Sequence, residues 1–251
     1  MAPQSIRRIK AASGILCLAI AMHVATAGLG RAIDFEFDPG LTQALFKDLG
    51  EEAGLAVSYM PAAPAEPLGF PGFDIGIEAT ATSIDSDDAH WQLAFSGDPP
   101  DFLVVPKLRA RVGLPFGIDI GAVYSSIPYI KAGLLGGEVK WAALKGGAVM
   151  PAVAVRGAYT TLLSVDELDL TTYSADLSIS KGFLIFTPYA GVGQVWIQAE
   201  EKSAAVALSD ERISKTRGFV GLQIGVPLVS FLVEAAFASV PSYTARLSVG
   251  F

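Results

Sequence analysis

From Phe73 to Phe251 the chain repeats with a period of two, and this constrains its fold more than any other feature. Phe73, Ile75, Ile77, Ala79 and Ala81 alternate with Asp74, Gly76, Glu78, Thr80 and Thr82. Phe116, Ile118, Ile120, Ala122 and Tyr124 alternate with Gly117, Asp119, Gly121 and Ser125. The same rhythm runs through Val220–Val226, Val229–Phe237 and Tyr243–Phe251. A period of two sends successive side chains to opposite faces of a strand. Each run is close to the ~10 residues that a tilted strand needs to cross a bilayer. Further strands are expected near 101–114, 131–145, 149–162, 168–181 and 185–200. That makes about ten, an even number, as in bacterial single-chain barrels. The expected fold is all-β: an antiparallel up-and-down transmembrane β-barrel with a short N-terminal helix.

Composition excludes the main rival. Hydrophobic residues make up 51 % of the 251 and charged residues 17 %, and mean hydropathy is +0.46. Membrane helices would explain such values, but a spanning helix needs roughly 18 or more consecutive apolar residues. Only the extreme N-terminus comes close; elsewhere Gly, Ser, Thr and single charges interrupt the apolar residues. That dispersal suits strands with one face toward lipid.

The chain divides into three expected parts. Residues 1–27 read as a signal peptide: Arg7, Arg8 and Lys10 precede an apolar core, Ile15–Val24, and the small-residue site Ala25-Thr26-Ala27. Cleavage there would remove Cys17, the only cysteine, and leave 15 basic against 25 acidic residues, a net charge of −10. Such a balance argues against a nucleic-acid partner, which needs a basic patch. Residues 28–72 form a helix and a proline-rich lead-in, placed in the periplasm or plugging the lumen. Leu41, Leu45, Phe46 and Leu49 have helical spacing, with Pro39 upstream and Gly50 and Gly54 as stop signals. Residues 60–71 carry Pro61, Pro64, Pro67 and Pro71, which suit an extended segment and not the middle of a sheet. Residues 73–251 are the barrel. Its short turns are expected at 115–117, 145–147, 181–183 and 226–228, and its longest loops at 84–100 and 201–212.

If the apolar face meets lipid, the other face lines the interior. It then carries Asp74, Glu78, Lys107, Arg109, Arg111, Asp119, Glu138, Lys140, Arg156, Asp176, Glu234 and Arg246, six of each sign. Buried charges need partners, so a balanced ladder fits a narrow salt-bridged lumen. The bland reading is a structural network. The sharper one is a small-solute pore whose Lys107-Arg109-Arg111 stripe biases solute charge. The helix bears on this choice, because residues 40–54 could occlude the lumen. Inward apolar residues such as Val123 and Leu134 leave room for a third idea, passage of a lipid or another hydrophobic compound. Trp141, Tyr159, Tyr173, Tyr189, Trp196 and Tyr243 are expected at the membrane interfaces.

Catalytic, cofactor and metal signals are weak. His90 sits among Asp85, Asp87 and Asp88 in the first long loop. It could serve a surface hydrolase as a base, and the acids could hold a cation, but a solvated acidic loop explains the stretch as well. No serine has a nucleophile-elbow context, the calcium-loop spacing is missing, and no zinc-ligand spacing is present. Gly191-Val192-Gly193 lies in an expected strand and opens no helix, so it is not a nucleotide loop. The expectation is therefore no enzyme, no cofactor and no metal.

The C-terminal stretch YTARLSVGF, Tyr243 to Phe251, resembles the terminal signature of Gram-negative outer-membrane proteins: a final Phe after alternating apolar residues, with an aromatic further in. The resemblance implies location in the cell outer membrane, contact with its lipid, and recognition of Tyr243 and Phe251 by the barrel assembly machinery. PAEPLGFPGFDIG, from Pro64, and PYAGVG, from Pro188, look like an uncharacterised proteobacterial barrel family with no functional residues to transfer.

Overall fold

The computed structural model describes residues 36–251 apart from 96, 128–131 and 204. The expected signal peptide lies outside the described residues. Ten strands form one closed barrel: β1 (Phe73–Ser83), β2 (Phe102–Leu114), β3 (Ile118–Ile127), β4 (Ala132–Lys145), β5 (Ala152–Leu163), β6 (Leu168–Ser180), β7 (Phe186–Glu201), β8 (Glu211–Val226), β9 (Val229–Phe237) and β10 (Pro241–Gly250). Each strand pairs antiparallel with its sequence neighbours, and β1 also pairs with β10. Closure leaves no sheet edge with unpaired backbone groups, which lipid could not satisfy.

The outside is apolar. Ile77 is 60 % exposed and Leu108, its partner on β2, 59 %; Val139, Leu177, Val192 and Val220 are also more than half exposed. Large apolar side chains exposed all round a closed sheet form the lipid-facing belt of an outer-membrane barrel. Among the described residues no helix is long and apolar enough to cross a membrane; the strands are the crossing elements.

The two ends differ. Phe73 and Phe251 meet edge to face at one end, ring centroids 4.8 Å apart. The turns at 115–117, 146–151, 181–185 and 227–228 lie at this end. Phe116 and Gly117 both take positive φ, 68° and 80°, as a type I′ hairpin turn requires. The two longest connections, 84–101 and 202–210, lie at the other end. Short turns face the periplasm in such barrels and long loops face outward.

Two elements run beyond the expected bounds. β8 starts at Glu211, ahead of the alternation read from Val220 onward. Its first half carries Arg212, Ser214 and Thr216 on one face and Ile213, Lys215 and Arg217 on the other, so a lone isoleucine is all that announces an apolar face. The helix α1 (Gln43–Val57) runs through Gly50 and Gly54 instead of stopping there. Both glycines press on the barrel wall. A Cβ on Gly54 would lie 2.4 Å from Ile197 Cγ2, and one on Gly50 would lie 3.0 Å from Ala199 Cβ. These glycines set how closely helix and strand approach and do not end the helix.

Candidate functional site: the occupied lumen

The segment before β1 threads the barrel from end to end. At the short-turn end the Leu68 amide donates to Asp119 Oδ1 at 3.0 Å, and the Glu66 amide to Ser180 Oγ at 3.2 Å. Residues 58–67 then climb the interior. α1 fills the long-loop half, where Gln43 Nε2 donates to the Ser209 carbonyl at 2.9 Å. Ahead of the helix, the Glu36 and Asp38 amides donate to the carbonyls of Ala94 and Leu93 in the first long loop. The chain enters the lumen at Gly72 and reaches the opposite mouth at Glu36.

The charges named from the sequence all point inward. Lys107, Arg109, Arg111, Asp119, Glu138, Lys140, Arg156, Asp176, Glu234 and Arg246 are each 6 % exposed or less, as are Asp74 and Glu78. Strand register brings opposite signs together. Glu78 lies level with Lys107 on β2 and Arg246 on β10, and Arg156 lies level with Asp176. Ion pairs follow: Arg109–Glu78 at 2.8 Å, Lys140–Asp119 at 3.0 Å, Arg111–Asp74 at 3.3 Å, Arg246–Asp74 at 2.7 Å and Arg156–Glu138 at 3.4 Å. Arg156 also pairs with Asp176.

A seventh buried cation escaped the sequence reading. Arg217 is 2 % exposed and pairs with Asp176 at 3.4 Å. Stepping back by two from Phe219 along β8 would have found it, had the strand been recognised that far.

The cations outnumber their carboxylates by one, and the threading segment supplies the remaining acceptors. Arg109 donates to the carbonyls of Met60 (2.8 Å) and Pro61 (3.2 Å), and Arg156 to that of Met60 (3.0 Å). Lys140 donates to the carbonyls of Pro64 and Glu66, both at 2.9 Å. Arg217 reaches the Tyr59 carbonyl at 3.1 Å and Ser58 Oγ at 2.9 Å. The Arg109 guanidinium also lies 4.6 Å from the centre of the Tyr59 ring, within cation–π range. The acids take the donors: the Ala62 amide reaches Glu234 Oε2 at 2.8 Å. An extended proline-rich strand suits this lumen because it has carbonyls without helical partners and few N–H groups that need acceptors.

Tyr189 departs from the expected interfacial girdle. It is buried, and its hydroxyl donates to Glu234 Oε2 at 2.8 Å. Its parity is that of Val195 and Ile197, which are buried inside. Gly221 opposite gives the ring its space, since a Cβ there would lie 2.2 Å from Tyr189 Cζ. Trp141, Tyr159, Tyr173, Trp196 and Tyr243 are 40–50 % exposed on the outside.

The upper lumen is apolar. Phe46, Leu49 and Leu55 of α1 share one core with Val123, Leu134, Leu170, Val195 and Ile197 of the wall. Val123 and Leu134 therefore belong to the same apolar core as the helix. At the mouth, Glu52 of α1 meets the first long loop. Its Oε2 accepts from Trp91 Nε1 at 2.7 Å and lies 3.4 Å from His90 Nε2. For His90, burial disfavours the charge, but Glu52, Asp88 and Asp48 outweigh it and raise the imidazole above its ordinary value. For Glu52, burial works upward, but His90 and Trp91 hold the carboxyl below its ordinary value.

No protein-family model and no curated protein matches the sequence. Among solved structures, the chain is similar to the attachment invasion locus protein Ail of Yersinia pestis, at 14 % identity over 72 % of this chain and 100 % of that one, TM-score 0.31. It is also similar to Neisserial surface protein A, at 12 % identity over 71 % and 94 %, TM-score 0.31. A third is the translocator domain of the autotransporter NalP from Neisseria meningitidis, at 11 % identity over 83 % and 96 %, TM-score 0.36. At such scores the fold rests on the strands themselves.

Proposed function

We propose that this protein is a non-enzymatic outer-membrane barrel held shut by its own N-terminal segment, which brings Glu36 to the mouth on the outer face. One observation carries the reading: backbone carbonyls of residues 59–66 take up the lumen cations Arg109, Lys140, Arg156 and Arg217. A solute pore would need its Lys107-Arg109-Arg111 stripe free. Here Lys107 and Arg109 face Glu78, and Arg111 faces Asp74. Passage of a hydrophobic compound would need the apolar upper lumen that α1 shares. A hydrolase would need a nucleophile beside His90, whose Nε2 faces a carboxylate. Phe251 and Tyr243 stay 64 % and 50 % exposed, open to the assembly machinery that the terminal motif implies.

The direction of threading is testable. Cys17 is the only cysteine, so removal of the leader would make an Asp38→Cys chain a single-cysteine protein. Asp38 is exposed. A membrane-impermeant maleimide applied to intact cells should label it. Labelling only after the outer membrane is permeabilised would overturn the reading.

A further inference from the structure

The contact between α1 and the first long loop has the makings of a metal site. Glu52, Asp88 and His90 each offer one ligand atom, and these atoms lie within 4.8 Å of one another. His90 is 6 % exposed, and its Nε2 has no hydrogen-bond partner. That nitrogen points at Glu52 Oε2 from 3.4 Å, too far for a good hydrogen bond. Two ligands bound tetrahedrally to one zinc at ~2.0–2.1 Å stand about 3.4 Å apart. The carboxylate is fixed from behind: Trp91 Nε1 donates to it at 2.7 Å. Trp91 is fully buried and stacked on Phe95, centroids 5.6 Å apart at 13°. A ligand oriented by an outer hydrogen bond is the usual construction of a metal centre. Asp88 holds the N-cap position of α2 (Ala89–Gln92) on the exposed side of the loop, with no capping bond from its side chain, leaving the remaining positions to solvent.

From this geometry we infer that Glu52, Asp88 and His90 bind a divalent transition metal of the zinc class, which clamps the plug helix to the first long loop. An imidazole ligand favours such a metal over calcium or magnesium, which prefer all-oxygen sites. Two carboxylates balance the dication. The sequence hid the site because Glu52 lies in a different element. Of the acids around His90, only Asp88 joins the group; Asp85 and Asp87 do not.

The test uses the tag-free full-length protein in detergent, freed of metal with a chelator, and titrated with Zn2+ by calorimetry and by thermal unfolding. The expected result is one zinc per chain, a melting temperature that rises with zinc, and no comparable response to Ca2+. His90→Ala should abolish binding, and Trp91→Phe, which removes the outer hydrogen bond together with part of a buried ring, should weaken it roughly 10–100-fold. Asp88→Asn keeps the shape of the side chain and a residue suited to the N-cap position, and should weaken zinc while leaving the zinc-free melting temperature nearly unchanged. Absence of stoichiometric binding in the wild-type chain would overturn the site and reduce the contact to an ion pair. Wild-type affinity in both His90→Ala and Asp88→Asn would overturn it as well.

Discussion

The two halves of the lumen hold the same segment by opposite means. In the long-loop half, α1 satisfies its own backbone and shares an apolar core with Val195, Ile197 and Leu170. In the short-turn half, residues 58–67 have no helical hydrogen bonds, and the wall adds charges to two small apolar patches, one around Met60 and Ala62 and one around Ala65. Arg109, Arg156 and Arg217 meet carbonyls there, and Glu234 meets an amide. A helix needs shape from its container, whereas an extended strand needs partners. The wall is mainly apolar where the plug is helical and carries its charges where the plug is extended.

This contrast predicts unequal responses to substitution. The charged half should be the more sensitive. Arg109→Ala removes a partner of Glu78 and Glu138 and of two carbonyls. Each acid keeps one cation, Glu78 with Lys107 and Glu138 with Arg156, but the two broken buried pairs should cost about 3–5 kcal/mol, read as a lower urea midpoint in detergent. A loss under about 1 kcal/mol would mean that water reaches the ladder. In the apolar half, Gly54→Val drives a side chain into Ile197, with an expected loss of about 1–3 kcal/mol. Adding Ile197→Ala should recover part of it, because the two positions are in contact. Simple additivity would show that the helix does not press on β7.

The smaller effects sharpen the boundary between the halves. Tyr189→Phe keeps the ring in the space left by Gly221 and removes only the hydrogen bond to Glu234. The expected loss is about 1–2 kcal/mol. The smallest effect belongs to pH. The His90 value is raised by folding, so its contribution is complete below the ordinary histidine value, about 6.5, and is lost as pH rises through the raised value. The Glu52 value is lowered, so its contribution is complete above the ordinary value, about 4.3, and is lost as pH falls through the lowered one. The mouth contact should therefore be tightest between these limits, measured as the highest amide protection in residues 89–94 relative to the intrinsic exchange rate at each pH. Protection that falls across that interval would contradict the pairing.

The barrel was largely legible in the sequence, because a strand between lipid and lumen must alternate. The inward charges could be read for the same reason: parity alone assigns Arg109 and Glu78 to one face. Three features escaped. The start of β8 has polar residues on both faces, which hid Arg217. Tyr189 was read from its residue type, although the strand's parity placed it inside. Gly50 and Gly54 carry the standard helix-stop signal, and only the adjacent β7 wall shows them to be contact surfaces. The plug itself was open on sequence grounds, since an amphipathic helix with a proline-rich tail has several possible resting places. The wall's cations, which take carbonyls of this segment beside their carboxylates, select this one.

The central claim is that the segment 36–68 closes the lumen. Planar-bilayer recording of the full-length chain, beside a chain lacking those residues, tests it most directly. The account predicts a silent full-length protein and discrete conductance steps once the segment is removed. Steady conductance from the full-length chain, equal to that of the shortened one, would contradict it.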